Sequence, residues 1–225
     1  MPDLSAPVIQ APCESFGPRR NNARPDLVVV HYTAMDTAED ALERLCDPEV
    51  EVSAHYLIAE NGRLWQMVPE EMRAWHAGAG AWGDIADVNS RSIGIELANT
   101  GQHPFPELQM RVLESLLRDI SARWGILPEG VIGHSDMAPG RKCDPGPRFD
   151  WTRLALQGLA LRLPEGAAKA PNWDVFRNTV KAFGFPDVPD ETLLEAVRLR
   201  FRPWGRGALD AEDMRVCDGL ARLLP

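Results

Sequence analysis

The sequence has no apolar run approaching the roughly 20 residues of a membrane span. Its opening, MPDLSAPVIQAPCESFGPRR, has neither a basic leader nor an apolar core of the export type. A cytoplasmic location is therefore the expectation, and a periplasmic one would require a signal already cut away. Positive charge is also scarce: 24 Lys and Arg stand against 33 Asp and Glu, a net charge of -9. That balance argues against a nucleic-acid binder, because phosphate backbones are gripped by clustered cations. Cysteine is sparse and shows no CxxC pair. Cys13, Cys46, Cys143 and Cys217 lie at wide, irregular intervals, which suits reduced thiols better than a disulfide framework. No fixed-period repeat or low-complexity tract is present, which argues against a solenoid.

What remains is an ordinary globular composition, 44% hydrophobic and 25% charged, over 225 residues. Five prolines between positions 2 and 25 suggest an extended N-terminal arm over residues 1–25. LVVVHYT (27–33) reads as a buried strand. Asp36 with Glu39 resembles a capping box that opens a short helix. SAHYLIA, Asn61-Gly62 and RLWQMV read as a hairpin, and residues 74–90 as a long loop. SIGIELA (92–98) is a further strand. Leu108, Val112, Leu116, Ile120 and Trp124 recur at helical spacing. GVIGH (130–134) is a short strand, and Asp150 can cap a helix running through Leu154, Leu159 and Leu163. A small, Pro-bearing stretch at 164–172 reads as a linker, followed by three helical patterns over 173–225.

The candidate chemistry centres on GHSDMAPGRKCDPG (133–146). Zinc hydrolysis needs three protein ligands and an open fourth position. His31 and His134 end two strands, and Asp144 follows on a Gly/Pro loop, so neighbouring strand ends can bring the three together. Two neutral imidazoles and one carboxylate would leave the site near +1, enough to make water a nucleophile near neutral pH. Glu96 sits in an otherwise apolar strand, where an unpaired carboxylate is costly to bury. It reads either as a general base or as an edge or salt-bridged residue. Lys142 can donate to an oxyanion or be a solvated loop lysine.

VVVHYTA, SAHYLI, WHAG, NSRSIGIELAN and GHSDMAPGRKCDPG resemble, in order, the motifs of the type 2 N-acetylmuramoyl-L-alanine amidases. That family is shared by bacterial cell-wall and recycling amidases, some phage lysozymes and animal peptidoglycan-recognition proteins. The resemblance covers about residues 26–163. It implies an α/β fold with a mixed central β-sheet flanked by helices and followed by a small C-terminal three-helix domain, peptidoglycan-binding-like in its loose pattern. It implies zinc ligands at His31, His134 and Asp144, with Glu96 and Lys142 as the catalytic pair. Phage members place a tyrosine where Ala54 stands here, so that role falls to Glu96. Cys143, adjacent to Asp144 on an extended loop, points elsewhere and is a bystander. Trp75, with a stacking face for a sugar ring, His76, His55 and Asn99 are candidate substrate contacts; His76 can equally brace its loop, and His55 can be structural.

The resemblance implies one Zn2+ per chain and hydrolysis of the amide between N-acetylmuramic acid, anhydro or not, and the L-Ala of the stem peptide. Such an enzyme would serve peptidoglycan recycling or turnover, act on muropeptides as a monomer, and need no nucleic acid or membrane partner. The rival from another class is a recognition module of the same fold that binds muropeptides without hydrolysis.

Overall fold

The computed structural model describes residues 7–224. The chain enters as an exposed edge strand, β1 (Val8–Gln10), then forms β2 (Phe16–Pro18), so this part of the N-terminal segment is extended and hydrogen-bonded into sheets. The β-branched run makes β3 (Leu27–Tyr32). Helix α1 (Ala38–Cys46) follows, but its cap is Thr37 and not Asp36: the extended Thr37 accepts from the Asp40 N–H at 3.1 Å. The expected hairpin is β4 (Tyr56–Ile58) and β5 (Leu64–Gln66), turning at Gly62 with φ +84°. Strand β6 (Met72–Ala74) opens the long loop, which ends in the short helix α2 (Val88–Arg91) and strand β7 (Ser92–Leu97).

Helix α3 (Glu107–Trp124) ends at Gly125, whose φ of +72° is the left-handed turn that glycine supplies cheaply. Its buried stripe is Met110, Val112, Leu113, Leu116, Leu117 and Ile120; Leu108, assigned to that stripe from spacing, faces solvent. Strand β8 (Val131–Gly133) runs directly into the single turn α4 (His134–Met137). Asp150 does cap α5 (Trp151–Leu156), yet this helix stops short of Leu159 because Gly158 turns left-handed at φ +69°. The three expected tail helices are α6 (Trp173–Phe183), α7 (Asp190–Phe201) and α8 (Ala211–Ala221).

The main sheet has the order β1-β5-β4-β7-β3-β8, with β4, β7, β3 and β8 mutually parallel and β5 antiparallel to β4. Side chains alternate between its two faces. Val28, Val30, Ile93, Ile95, Leu97 and Val131 pack beneath α3 and α5. Leu27, Val29 and Ile132 point the other way and share one hydrophobic cluster with Phe176 and Val180 of α6, Leu193 and Val197 of α7, and Met214 and Leu220 of α8. The tail helices thus complete the core on this face. Residues 164–172, without regular structure, lie against α8: a Cβ on Gly166 would come 2.1 Å from the Arg215 carbonyl. Among the described residues no helix is long and apolar enough to cross a membrane.

One buried ion pair joins the tail to the turn α4 that follows β8. Arg200 of α7 donates to Asp136 at 2.7 Å and to the Val131 carbonyl at 2.8 Å, with its guanidinium 3.7 Å from the Trp151 ring centre. Asp136 also accepts from the Gly133 N–H at 2.8 Å. Removing one partner strands a buried charge. Arg200→Ala should therefore lose about 3–5 kcal/mol in urea unfolding, and adding Asp136→Asn should restore part of it. An unchanged midpoint in Arg200→Ala would show that the pair does not hold the tail in place.

Candidate metal centre and active-site cleft

The face that buries Val29 also carries His31, two residues further along β3, and the face that buries Ile132 carries His134, two residues beyond. On β7 the alternate set is Ser92, Gly94 and Glu96, and His31 is the register partner of Glu96. All these groups therefore emerge together at the C-terminal ends of parallel strands, the usual place for a binding crevice in such sheets. The cleft there measures about 380 Å³ and is lined by His31, Trp75, His76, Glu96, His134, Arg141, Lys142, Cys143 and Asp144, with Thr33, Met35 and Arg44 among the residues of its outer wall.

His31, His134 and Asp144 are all buried and offer three donor atoms within 4.8 Å of one another. His31 Nδ1 lies 2.9 Å from His134 Nδ1 and 3.0 Å from Asp144 Oδ2, and His134 Nδ1 lies 3.1 Å from that same oxygen. His134 Nε2 faces the Ala77 carbonyl at 2.9 Å, nearer than the Arg141 guanidinium nitrogen at 3.4 Å, and the tautomer that donates to this carbonyl carries a bare lone pair on Nδ1. That lone pair confronts a carboxylate oxygen. Burial, reinforced by the neighbouring His134, lowers the His31 pKa to about 4, so this ring is neutral near pH 7. Two imidazole nitrogens and one carboxylate oxygen facing one another out of water suit a cation, and the donor set and number match zinc with an open position.

Glu96 stands beside this group. Its Oε2 is enclosed without a hydrogen-bond partner. Burial, with the like charge of Asp144 adding to it and Lys142 opposing it, raises its carboxyl to about 8. Lys142 is exposed on the rim, and Trp75 lines the wall. Cys143 is outside the donor group and pairs with the Tyr32 hydroxyl at 3.1 Å. Ala54, at the position of the phage tyrosine, is fully buried.

Three of the candidate substrate contacts are hydrogen-bonded within the protein. His55 is fully buried: Nδ1 accepts from the Gly94 N–H at 2.9 Å, and Nε2 faces the Met72 carbonyl at 3.1 Å. Asn99 is buried with its side-chain Oδ1 accepting from the Gly101 N–H at 2.7 Å, a turn-forming contact. His76 reaches the cleft, but its nitrogens meet His31 and Ser92. Residues that the sequence reading passed over hold the site together. Asn89 Oδ1 accepts from the His76 and Ala77 N–H groups, and Arg141 donates to the carbonyls of Ala77 and Ala79, tying the long loop to the metal-side loop.

The model of the family described as N-acetylmuramoyl-L-alanine amidase matches residues 21–147. The chain is 37% identical to the N-acetylmuramoyl-L-alanine amidase AmiD of Escherichia coli, over 86% of this chain and 81% of that protein. It is 34% identical to the 1,6-anhydro-N-acetylmuramyl-L-alanine amidase AmpD of Salmonella typhimurium, over 67% of this chain and 90% of that protein. Its fold is similar to that of E. coli AmiD solved with anhydro-N-acetylmuramic acid-L-Ala-D-gamma-Glu-L-Lys, with a TM-score of 0.80 and 33% identity over 90% of this chain and 91% of that one.

The raised Glu96 carboxyl has a consequence for stability. Folding favours its protonated form, so its contribution is complete below the ordinary carboxyl range and is lost as pH rises toward about 8. In chelator-treated protein, Glu96→Gln should be the more stable of the two at pH 8, by at least about 1 kcal/mol, and near parity at pH 4. Parallel denaturation curves at both pH values check this, and equal stability at pH 8 would contradict it.

Proposed function

The chain belongs to the N-acetylmuramoyl-L-alanine amidase family and is an enzyme of that class, and on that premise we propose that it is a zinc amidase. Its substrate is a muropeptide, and the bond it cuts is the amide between the lactyl group of (anhydro-)N-acetylmuramic acid and L-Ala. The observation that carries the assignment is the placement of Glu96 in register with His31, on the same sheet face and in the same cleft as the buried His31–His134–Asp144 group. The anhydro-muramyl peptide bound by AmiD and the name of AmpD support the substrate class.

His31, His134 and Asp144 would hold the ion, which when bound polarises the scissile carbonyl and makes water nucleophilic at neutral pH. Glu96 takes the proton from the attacking water and passes it to the leaving amine of L-Ala; a carboxyl whose affinity for protons lies near neutrality suits both transfers. Lys142, on the rim, supplies positive charge where the carbonyl oxygen becomes anionic. Trp75 offers the sugar a flat apolar face. The soluble anhydro forms point to recycling or turnover of cell-wall fragments, with the tail helices serving as a wall of the fold.

Mass spectrometry of a mixed muropeptide digest tests the reaction directly. Free stem peptides should be released, release should stop with chelator, and zinc should restore it. Glu96→Ala should keep a full zinc equivalent and lose at least about 10² in turnover, whereas His134→Ala should lose metal and activity together. Normal turnover in Glu96→Ala would remove this residue from the mechanism.

A further inference from the structure

His76 contributes no atom to the three-donor group, yet it is built into the site with unusual care. Its ring lies on the bare backbone of Gly94: a Cβ there would come 2.4 Å from His76 Cγ. Asn89 holds its backbone N–H, and both ring nitrogens meet protein atoms, His31 Nε2 at 3.0 Å and Ser92 Oγ at 3.1 Å.

The proton positions along this chain follow from its far end. A carbonyl can only accept, so the Ser92 hydroxyl gives its one proton to the Val88 carbonyl 2.6 Å away. Toward His76, Ser92 must then accept, which places the proton of the neutral His76 ring on Nε2. His76 Nδ1 is left as an acceptor, and the group facing it, His31 Nε2, must donate. A neutral His31 with its proton on Nε2 has none on Nδ1.

We propose that His76 is a positioning residue which, through Ser92 and the Val88 carbonyl, fixes the His31 proton on Nε2 and presents Nδ1 as a bare lone pair to the metal. With His134 fixed by the Ala77 carbonyl, both imidazoles of the donor group are preset for a cation by hydrogen bonds outside it. The consequence for metal rests on the zinc reading above, whereas the proton positions do not.

Two measurements on the full-length protein test this. In metal-stripped wild type, histidine 15N NMR should find His31 protonated at Nε2, and Ser92→Ala, which frees the His76 proton to move, should raise the Nδ1-protonated fraction. In zinc titrations against a competing chelator, His76→Leu and Ser92→Ala should each weaken zinc binding about 10–100-fold. His76→Asn, whose Oδ1 can accept from His31 in place of Nδ1, should recover most of that loss, which a merely space-filling role for the ring would not give. His31 protonated at Nδ1 in the wild type, or unchanged zinc affinity in both His76→Leu and Ser92→Ala, would overturn the proposal. A wild type that takes up no zinc would strike the metal reading, and the His31 proton position would still decide the relay. Ser92→Ala changes only one small side chain, so the test survives if His76→Leu fails to fold.

Discussion

The pairing of β3 with β7 sets one register on which every group in the cleft depends. Side chains alternate along each strand, so a slip of one residue would send His31 under α3 and bring a valine into the cleft. The apolar residues guard against that slip. Val28, Val30, Ile93 and Ile95 have a hydrophobic layer waiting on one face, and Val29 has another on the opposite face. Burial of ordinary aliphatic side chains therefore aims two histidines and a glutamate at one point, and no polar contact is needed to do so.

The same two-sided burial explains the electrostatics. A cleft floored by a sheet and closed by loops keeps water from His31 and from the inner oxygen of Glu96. The imidazole is thereby held neutral and free to donate electrons, and the carboxyl is held ready to carry a proton. Both effects have one cause and opposite signs of charge, since low polarity disfavours whichever form is ionised.

Much of this was legible in the sequence, for reasons that can be named. The strands at 27–33 and 92–98 announce themselves by β-branched residues and alternation, and GHSDMAPGRKCDPG shows its donors because glycine and proline leave little else there. His31, Glu96, His134, Lys142 and Asp144 do line one cleft. What stayed hidden depends on partners distant in sequence. The hydrogen bonds of His55 and Asn99 to Gly94, Met72 and Gly101 join residues that the sequence does not mark as neighbours of the cleft. Helix α5 is shortened by one left-handed glycine, a conformation that periodicity does not report. The tail reads as separate from the sheet because Phe176, Leu193 and Met214 carry no mark of which surface they will cover, and Arg200 none of the aspartate 64 positions away.

Cys143 turns the arrangement of thiols to practical use. Cys13 and Cys217 are buried and Cys46 is partly covered, while Cys143 is exposed on the cleft wall, outside the donor group. A maleimide dye or nitroxide added to the native protein therefore has one preferred attachment point, at the mouth of the cleft. The chain carries its own address for an optical or spin reporter of substrate entry, with no engineered residue required.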